Sequence, residues 1–238
     1  MQIDAVFVRS AAGAGDFPPD GLPEIALVGR SNVGKSSLIN ALARRRVARI
    51  SSAPGKTRLA NIYRMARGSA SPVCLVDLPG YGYARGGAPA AAAFDELTQA
   101  YFGRGDRGGR GGRSALLLVD ARHPGLDSDR LAWSWLLDRK VDAAIVATKI
   151  DKLARGQRIR AMRELESVFE HSVLPVSAVT GEGLDTLWKL IDRLANSRNS
   201  NRHSSPRSSS PEVTAPPRRA KARPAEALKK SSGSTSRR

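Results

Sequence analysis

Apolar residues in this chain fall into two kinds of pattern that alternate along its length. Short unbroken runs at Ile25–Val28, Val73–Val76, Ala115–Val119, Ala143–Ala147 and Val173–Val176 predict strands buried on both faces. Between them, apolar positions recur at three- and four-residue spacing. They predict helices from about Ser37 to Arg45, through an alanine-rich stretch to Phe102, around Asp129–Arg139, over roughly 156–170, and over Leu184–Leu194. The third helix is expected to turn Leu131, Trp135 and Leu136 to one side; the fourth, Ile159, Met162, Leu165 and Phe169. Ala5–Val8 reads as an edge strand and Asn61–Ala66 as a further strand. Strand following helix in this way predicts an α/β fold, a mostly parallel sheet with helices on both faces. Such sheets bind ligands at the carboxyl ends of their strands. Cys74, inside an apolar run, is expected in the core.

Other stretches break the alternation. Residues 1–22 supply the edge strand and a Gly/Ala/Pro lead-in loop, and residues 23–195 carry the repeated pattern. Within the latter, residues 103–113 contain only Gly, Arg and one Asp, and read as a flexible insertion. From Asn196 to Arg238 Ser, Arg, Pro and Lys dominate, which predicts a disordered basic tail. The chain's formal charge is +17, and residues 196–238 hold 11 Lys+Arg against 2 Asp+Glu. A polyanionic partner follows, RNA in preference to an anionic membrane because no amphipathic anchor is visible. A solvated surface without a specific partner is the alternative. One cysteine in 238 residues forbids an intrachain disulfide. With no membrane-length apolar run and no signal-peptide pattern at Met1-Gln2-Ile3-Asp4, the expectation is a cytoplasmic monomer without membrane contact.

The chemistry begins at Gly29-Arg30-Ser31-Asn32-Val33-Gly34-Lys35-Ser36-Ser37, which fits the P-loop pattern between a strand and a helix. A glycine loop opening a helix aims consecutive backbone N–H groups at one point, where the helix dipole favours phosphate. Lys35 would reach the β- and γ-phosphates and the Ser36 hydroxyl would bind Mg²⁺. Asp77 ends a buried strand and opens Asp77-Leu78-Pro79-Gly80. In P-loop NTPases such a carboxylate holds Mg²⁺, and the Gly80 N–H is placed for the γ-phosphate. Thr148-Lys149-Ile150-Asp151 supplies the base identity. Asp151 can accept from guanine N1–H and its exocyclic amine, a donor pair adenine lacks, and sites of this kind discriminate by about 10⁴–10⁵-fold. Lys149 would lay its stem along the ring, and Val176-Ser177-Ala178 would present the Ala178 N–H to the guanine O6.

These segments together resemble the EngB (YsxC/YihA) GTPases of bacteria, within the Era/TrmE-like translation-factor GTPases. The resemblance covers about residues 20–195. It rests on Leu22-Pro23-Glu24-Ile25-Ala26, the P-loop, Pro54-Gly55-Lys56-Thr57-Arg58, Asp77-Leu78-Pro79-Gly80-Tyr81-Gly82-Tyr83-Ala84, Asp120-Ala121-Arg122-His123 and Thr148-Lys149-Ile150-Asp151. It implies a P-loop GTPase domain that binds GTP and GDP and helps assemble the large ribosomal subunit with its rRNA. It also implies a need for the protein in cell division and septation. By the resemblance, Thr57 completes the Mg²⁺ shell with Ser36 and Asp77, and Gly55, Lys56, Arg58 and Leu59 flank the nucleotide. Lys35, Thr57, Gly80 and Asn32 are then the residues expected to act on the reaction.

Tyr81 stands where Ras-type GTPases carry a water-positioning Gln, which implies slow intrinsic hydrolysis. Related GTPases with Asn at the position of Asn32 hold K⁺ beside the phosphates, so K⁺ is a candidate cofactor; an Asn suited to a turn is the other reading. A nucleotide-gated rRNA-binding module with negligible turnover is the alternative to a hydrolysing switch. A P-loop ATPase or small-molecule kinase is disfavoured by the guanine-reading tetrapeptide. His123 has no partner in the sequence that would make it catalytic, so a structural role is expected.

Overall fold

The computed structural model describes residues 2–18, 21–49, 59–81, 88–103 and 113–200. The apolar runs become strands β2 (Glu24–Gly29), β4 (Val73–Asp77), β5 (Arg113–Asp120), β6 (Asp142–Thr148) and β7 (Val173–Pro175). β1 (Ile3–Ala11) and β3 (Ala60–Arg67) complete a seven-stranded sheet in the order β1-β3-β4-β2-β5-β6-β7. Five strands, β4-β2-β5-β6-β7, pair in parallel, while β3 runs antiparallel to both β4 and β1. An irregularity between Phe7 and Arg9 shifts the register along the β1 edge.

Because successive strand residues point to opposite faces, each central strand feeds two cores. On one face Ala26, Val28, Cys74, Val76, Leu117 and Val119 meet α2 (Ala88–Gly103), α3 (Asp127–Asp138) and α4 (Arg155–Phe169). On the other, Ile25, Leu27, Leu75, Leu116 and Leu118 meet α1 (Lys35–Ala43) and α5 (Leu184–Ser200). Cys74 is 1 % exposed, the core residue its run implied.

Four sequence expectations change in detail. On α3, Trp133 and Leu136 are buried, one turn and two turns beyond Asp129, while Leu131 faces outward. The spacing that paired Leu131 with Trp135 selected the wrong edge of the apolar stripe. On α4, Ile159 likewise faces outward, and Ala161, Leu165 and Phe169 carry the contact. The lead-in segment is more than a loop: Phe17 is buried and its ring centroid lies 5.1 Å from that of Tyr101 on α2. α5 continues to Ser200, past Asn196, where the tail was expected to begin. The Asn196 amide donates to the Asp192 carbonyl at 2.8 Å, and the first proline beyond, Pro206, stands further on. Residues 104–112 and 201–238, most of the insertion and of the tail, lie outside the described residues.

No helix among the described residues is long and apolar enough to cross a membrane. The carboxyl ends of β2, β4, β5 and β6, at Gly29, Asp77, Asp120 and Thr148, open onto the loops that carry the P-loop, Asp77–Gly80, Asp120–His123 and Thr148–Asp151 motifs.

Candidate nucleotide-binding site

The loop after β2 has two residues in left-handed backbone, Asn32 at φ 60° and Gly34 at φ 114°. Glycine adopts that region freely, and Asn is among the few other residues that do so. This gives Asn32 a conformational reason to be there. Gly29 is required for another cause: a Cβ on it would lie 2.9 Å from the Leu118 carbonyl oxygen on β5. The turn curls around Lys35, whose side chain is buried and whose Nζ donates to the carbonyls of Gly29 at 2.9 Å and Arg30 at 3.3 Å. Burial pulls the Lys35 ammonium below its usual range, with the nearby Asp77 acting in the opposite sense.

Parallel pairing sets Leu27 of β2 opposite Asp77 at the end of β4. This register brings the Ser36 hydroxyl to the Asp77 carboxylate, donating to Oδ2 at 3.0 Å. Asp77 is 4 % exposed, and its Oδ1 has no hydrogen-bond partner among the described residues. Burial raises its pKa, against the opposing pull of Lys35 and Ser36. A dry carboxylate oxygen beside a hydroxyl is a donor set for a hard divalent cation. Among the described residues no cluster of three or more His, Cys, Asp or Glu side chains offers a metal cage. The pair therefore suits a cation that takes most of its ligands from phosphate and water, as Mg²⁺ does. Ser36 and Asp77 fit the role assigned to them. Thr57, with Gly55, Lys56 and Arg58, lies outside the described residues; Leu59 is described and half exposed at the start of β3.

The loop after β4 lies against the P-loop. The Ser31 N–H donates to the Tyr81 carbonyl at 3.2 Å, and Arg30 and Tyr81 form a parallel bridge. Leu78 and Pro79 are buried beneath, and the Gly80 backbone is packed directly on Ser31. The Tyr81 side chain points to α3, donating its hydroxyl hydrogen to Asp129 Oδ1 at 2.9 Å.

The base-recognition loops converge from β6 and β7. The Thr148 hydroxyl is buried between the carbonyls of Val33, 2.7 Å away, and Val119, 3.0 Å away, and so ties this loop to the P-loop. Lys149 takes a left-handed backbone, φ 61°, and its Nζ donates to the Asn32 carbonyl and, at 2.9 Å, to Asp120 Oδ2. Asp151 receives the Ser177 hydroxyl at 2.7 Å. Burial would raise its pKa, yet it is lowered, since that hydrogen bond and the adjacent Lys152 outweigh burial. An ionised Asp151 is the form that accepts two hydrogen bonds from guanine. Ser177, fully buried, also accepts from the N–H groups of Val179 at 3.2 Å and Thr180 at 3.0 Å, shaping the turn that holds Ala178. Ile150, Val33 and Val176 are buried in the core, so they offer a ligand only their backbone. Ser37 is half-buried on the first turn of α1.

Two buried carboxylates, Asp120 and Asp129, were not singled out by the sequence reading. Asp120 appeared there only as part of a resemblance; it receives Arg122 Nε and Nη2 at 2.9 and 2.7 Å together with Lys149, and braces the base loop. Asp129 carried no signal beyond a polar position on an amphipathic helix. His123 is exposed, and its backbone N–H closes a turn onto the Asp120 carbonyl at 2.9 Å.

Residues 24–149 match the model of a family described as 50S ribosome-binding GTPase. A Thermotoga maritima relative described as a probable GTP-binding protein EngB is 40 % identical over 195 residues, 80 % of this chain and 96 % of the relative. A Heliobacterium modesticaldum relative with the same description is 40 % identical over 198 residues, 81 % of this chain and 93 % of the relative. The chain belongs to the EngB family of GTP-binding proteins. It is a GTPase. Solved structures agree at the level of the fold. Era in complex with MgGDPNP and a segment of 16S ribosomal RNA superposes with a TM-score of 0.62 at 23 % identity, over 73 % of this chain and 56 % of that one. A structure described as a probable GTP-binding protein engB gives 0.56 at 22 % identity, over 73 % of this chain and 99 % of that one.

Proposed function

We propose that the chain is a Mg²⁺-dependent GTP switch acting in the cytoplasm on the large ribosomal subunit and its rRNA during assembly. The observation carrying the switch is the Ser36–Asp77 pair, with its orphaned Asp77 oxygen, on the same loop system as the Asp151–Ser177 guanine socket. The large subunit is supported by the family's description as 50S ribosome-binding, and a polyanionic partner by the net charge of +17. A role in cell division and septation is the downstream consequence that the resemblance to EngB proteins suggests.

In this reading Asp151 and the Ala178 N–H fix guanine, and the P-loop N–H groups take the α- and β-phosphates. Lys35 exchanges its bonds to the Gly29 and Arg30 carbonyls for phosphate oxygens. Ser36, Asp77 and Thr57 would hold Mg²⁺, which when bound neutralises charge developing on the β- and γ-phosphates. Gly80 donates its N–H to the γ-phosphate, so the segment that carries it senses whether that phosphate is present. The side chain of Tyr81 is tied to Asp129 and positions no water, so turnover is slow without a partner.

That same tie favours a second reading, an rRNA-binding module gated by nucleotide with negligible hydrolysis. Single-turnover hydrolysis with and without purified large subunits separates the two. The switch is expected to be accelerated by about 10³-fold, the scale of a partner-supplied charge; no acceleration selects the module. Run in K⁺ and in Na⁺ buffers, the same assay tests Asn32 as a K⁺ ligand, and equal rates would leave it as a turn residue only.

A further inference from the structure

Asp129 has no part in the nucleotide site as described, yet it is a carboxylate 2 % exposed in the first turn of α3. It is buried by design of the helix: Trp133 and Leu136 on the same face anchor α3 in the core, and the Asp129 N–H donates to the Leu126 carbonyl at 2.9 Å. A carboxylate in that position needs a hydrogen-bond donor. It has the Tyr81 hydroxyl at 2.9 Å; burial raises its pKa, with the Tyr81 bond and the Arg30 cation pulling the other way. At its other end Tyr81 is held by its carbonyl, which accepts from Ser31 of the P-loop. Gly80, the residue before Tyr81, is packed so tightly that a Cβ on it would fall 2.5 Å from the Ser31 nitrogen.

We infer that Asp129 is a positioning residue for GTP hydrolysis: through Tyr81 it fixes the Gly80 N–H at the γ-phosphate position. Tyr81 is then a strut with one foot on a core-anchored helix and the other on the P-loop. A backbone donor contributes to transition-state stabilisation only when its place is set before the charge develops. The Asp129–Tyr81 bond sets it. Loss of that bond frees Gly80 without touching a group that meets GDP. The inference rests on the reading that Gly80 donates to the γ-phosphate, so the experiment tests both.

GDP affinity, affinity for a non-hydrolysable GTP analogue and single-turnover hydrolysis are measured on the full chain. Tyr81→Phe and Asp129→Ala are each expected to slow hydrolysis and weaken the analogue by about tenfold or more, the worth of a hydrogen bond to a charged group. GDP affinity stays within about twofold. Asp129→Asn, whose amide oxygen still accepts from tyrosine, restores most of the activity, and Tyr81→Phe combined with Asp129→Ala is no slower than the worse single variant. Equal losses for GDP and analogue, or multiplying effects in the double variant, overturn the strut. Gly80→Ala separates the layers. If it abolishes hydrolysis while Tyr81→Phe does nothing, the strut alone is wrong; if it too leaves hydrolysis intact, the γ-phosphate contact beneath it is wrong.

Discussion

Asp120 gathers a chelating guanidinium, the Arg122 N–H and the Lys149 ammonium at a strand end where its side chain is 9 % exposed. Burial raises its pKa, but these donors outweigh burial and hold it down at about 2. A carboxylate whose folded pKa lies below its unfolded value of about 3.9 stabilises the protein above that value. The contribution is lost as pH falls from about 4 through about 2. Asp120→Asn should therefore flatten the acid limb of stability across that window, and denaturant midpoints at graded pH would read it. An unchanged limb would mean that Asp120 contributes nothing there. At this scale the sequence was informative wherever a residue type is forced by chemistry, as at Lys35, Ser36, Asp77 and Asp151. It was silent where a common residue becomes functional by contact. Asp129 reads as one more polar helix position until the Tyr81 hydroxyl is found on it.

Secondary elements were legible from periodicity because most bury one face or two. All five parallel strands and all five helices stand where apolar spacing placed them, to within a few residues. What periodicity lacks is a phase. On α3 the apolar stripe is wide enough for either Leu131 or Trp133 to lead it, and only the neighbouring sheet decides. Antiparallel β3 was visible as a strand but not in its direction, which depends on pairing with β1 and β4. The end of α5 followed a different logic. Composition changes at Asn196, but the backbone ladder continues to Ser200 because no residue there breaks it. A truncation should follow Ser200 and leave the helix whole. Removing 201–238 in this way is expected to weaken association with large subunits and to lessen its salt dependence, with GTP hydrolysis unchanged. Sedimentation across a salt series checks this, and association identical to that of the full chain would make the tail a solubilising extension.

Across the molecule, the loops at one end of the sheet are wired to each other in the described structure. Thr148 and Lys149 tie the base loop to the P-loop, Tyr81 ties the loop after β4 to it, and Ser36 meets Asp77 at its foot. Yet at the centre of this wiring Lys35 and Asp77 are both buried, with burial working against the charge on each. The lysine is held by two carbonyls, and one carboxylate oxygen has no hydrogen-bond partner among the described residues. A ligand that satisfies both groups only in the folded chain adds to its stability, so guanine nucleotide is expected to act as a folding ligand as well as a signal. A variant carrying Lys35→Met and Asp77→Asn should melt no lower than nucleotide-free wild type, since buried charges replaced by neutral groups of similar size often cost nothing. Nucleotide should no longer raise its melting temperature. If the empty variant instead melts well below the empty parent, the charges stabilise the fold and this view fails. If it does not, guanine nucleotide concentration is expected to tune the stability of the folded chain.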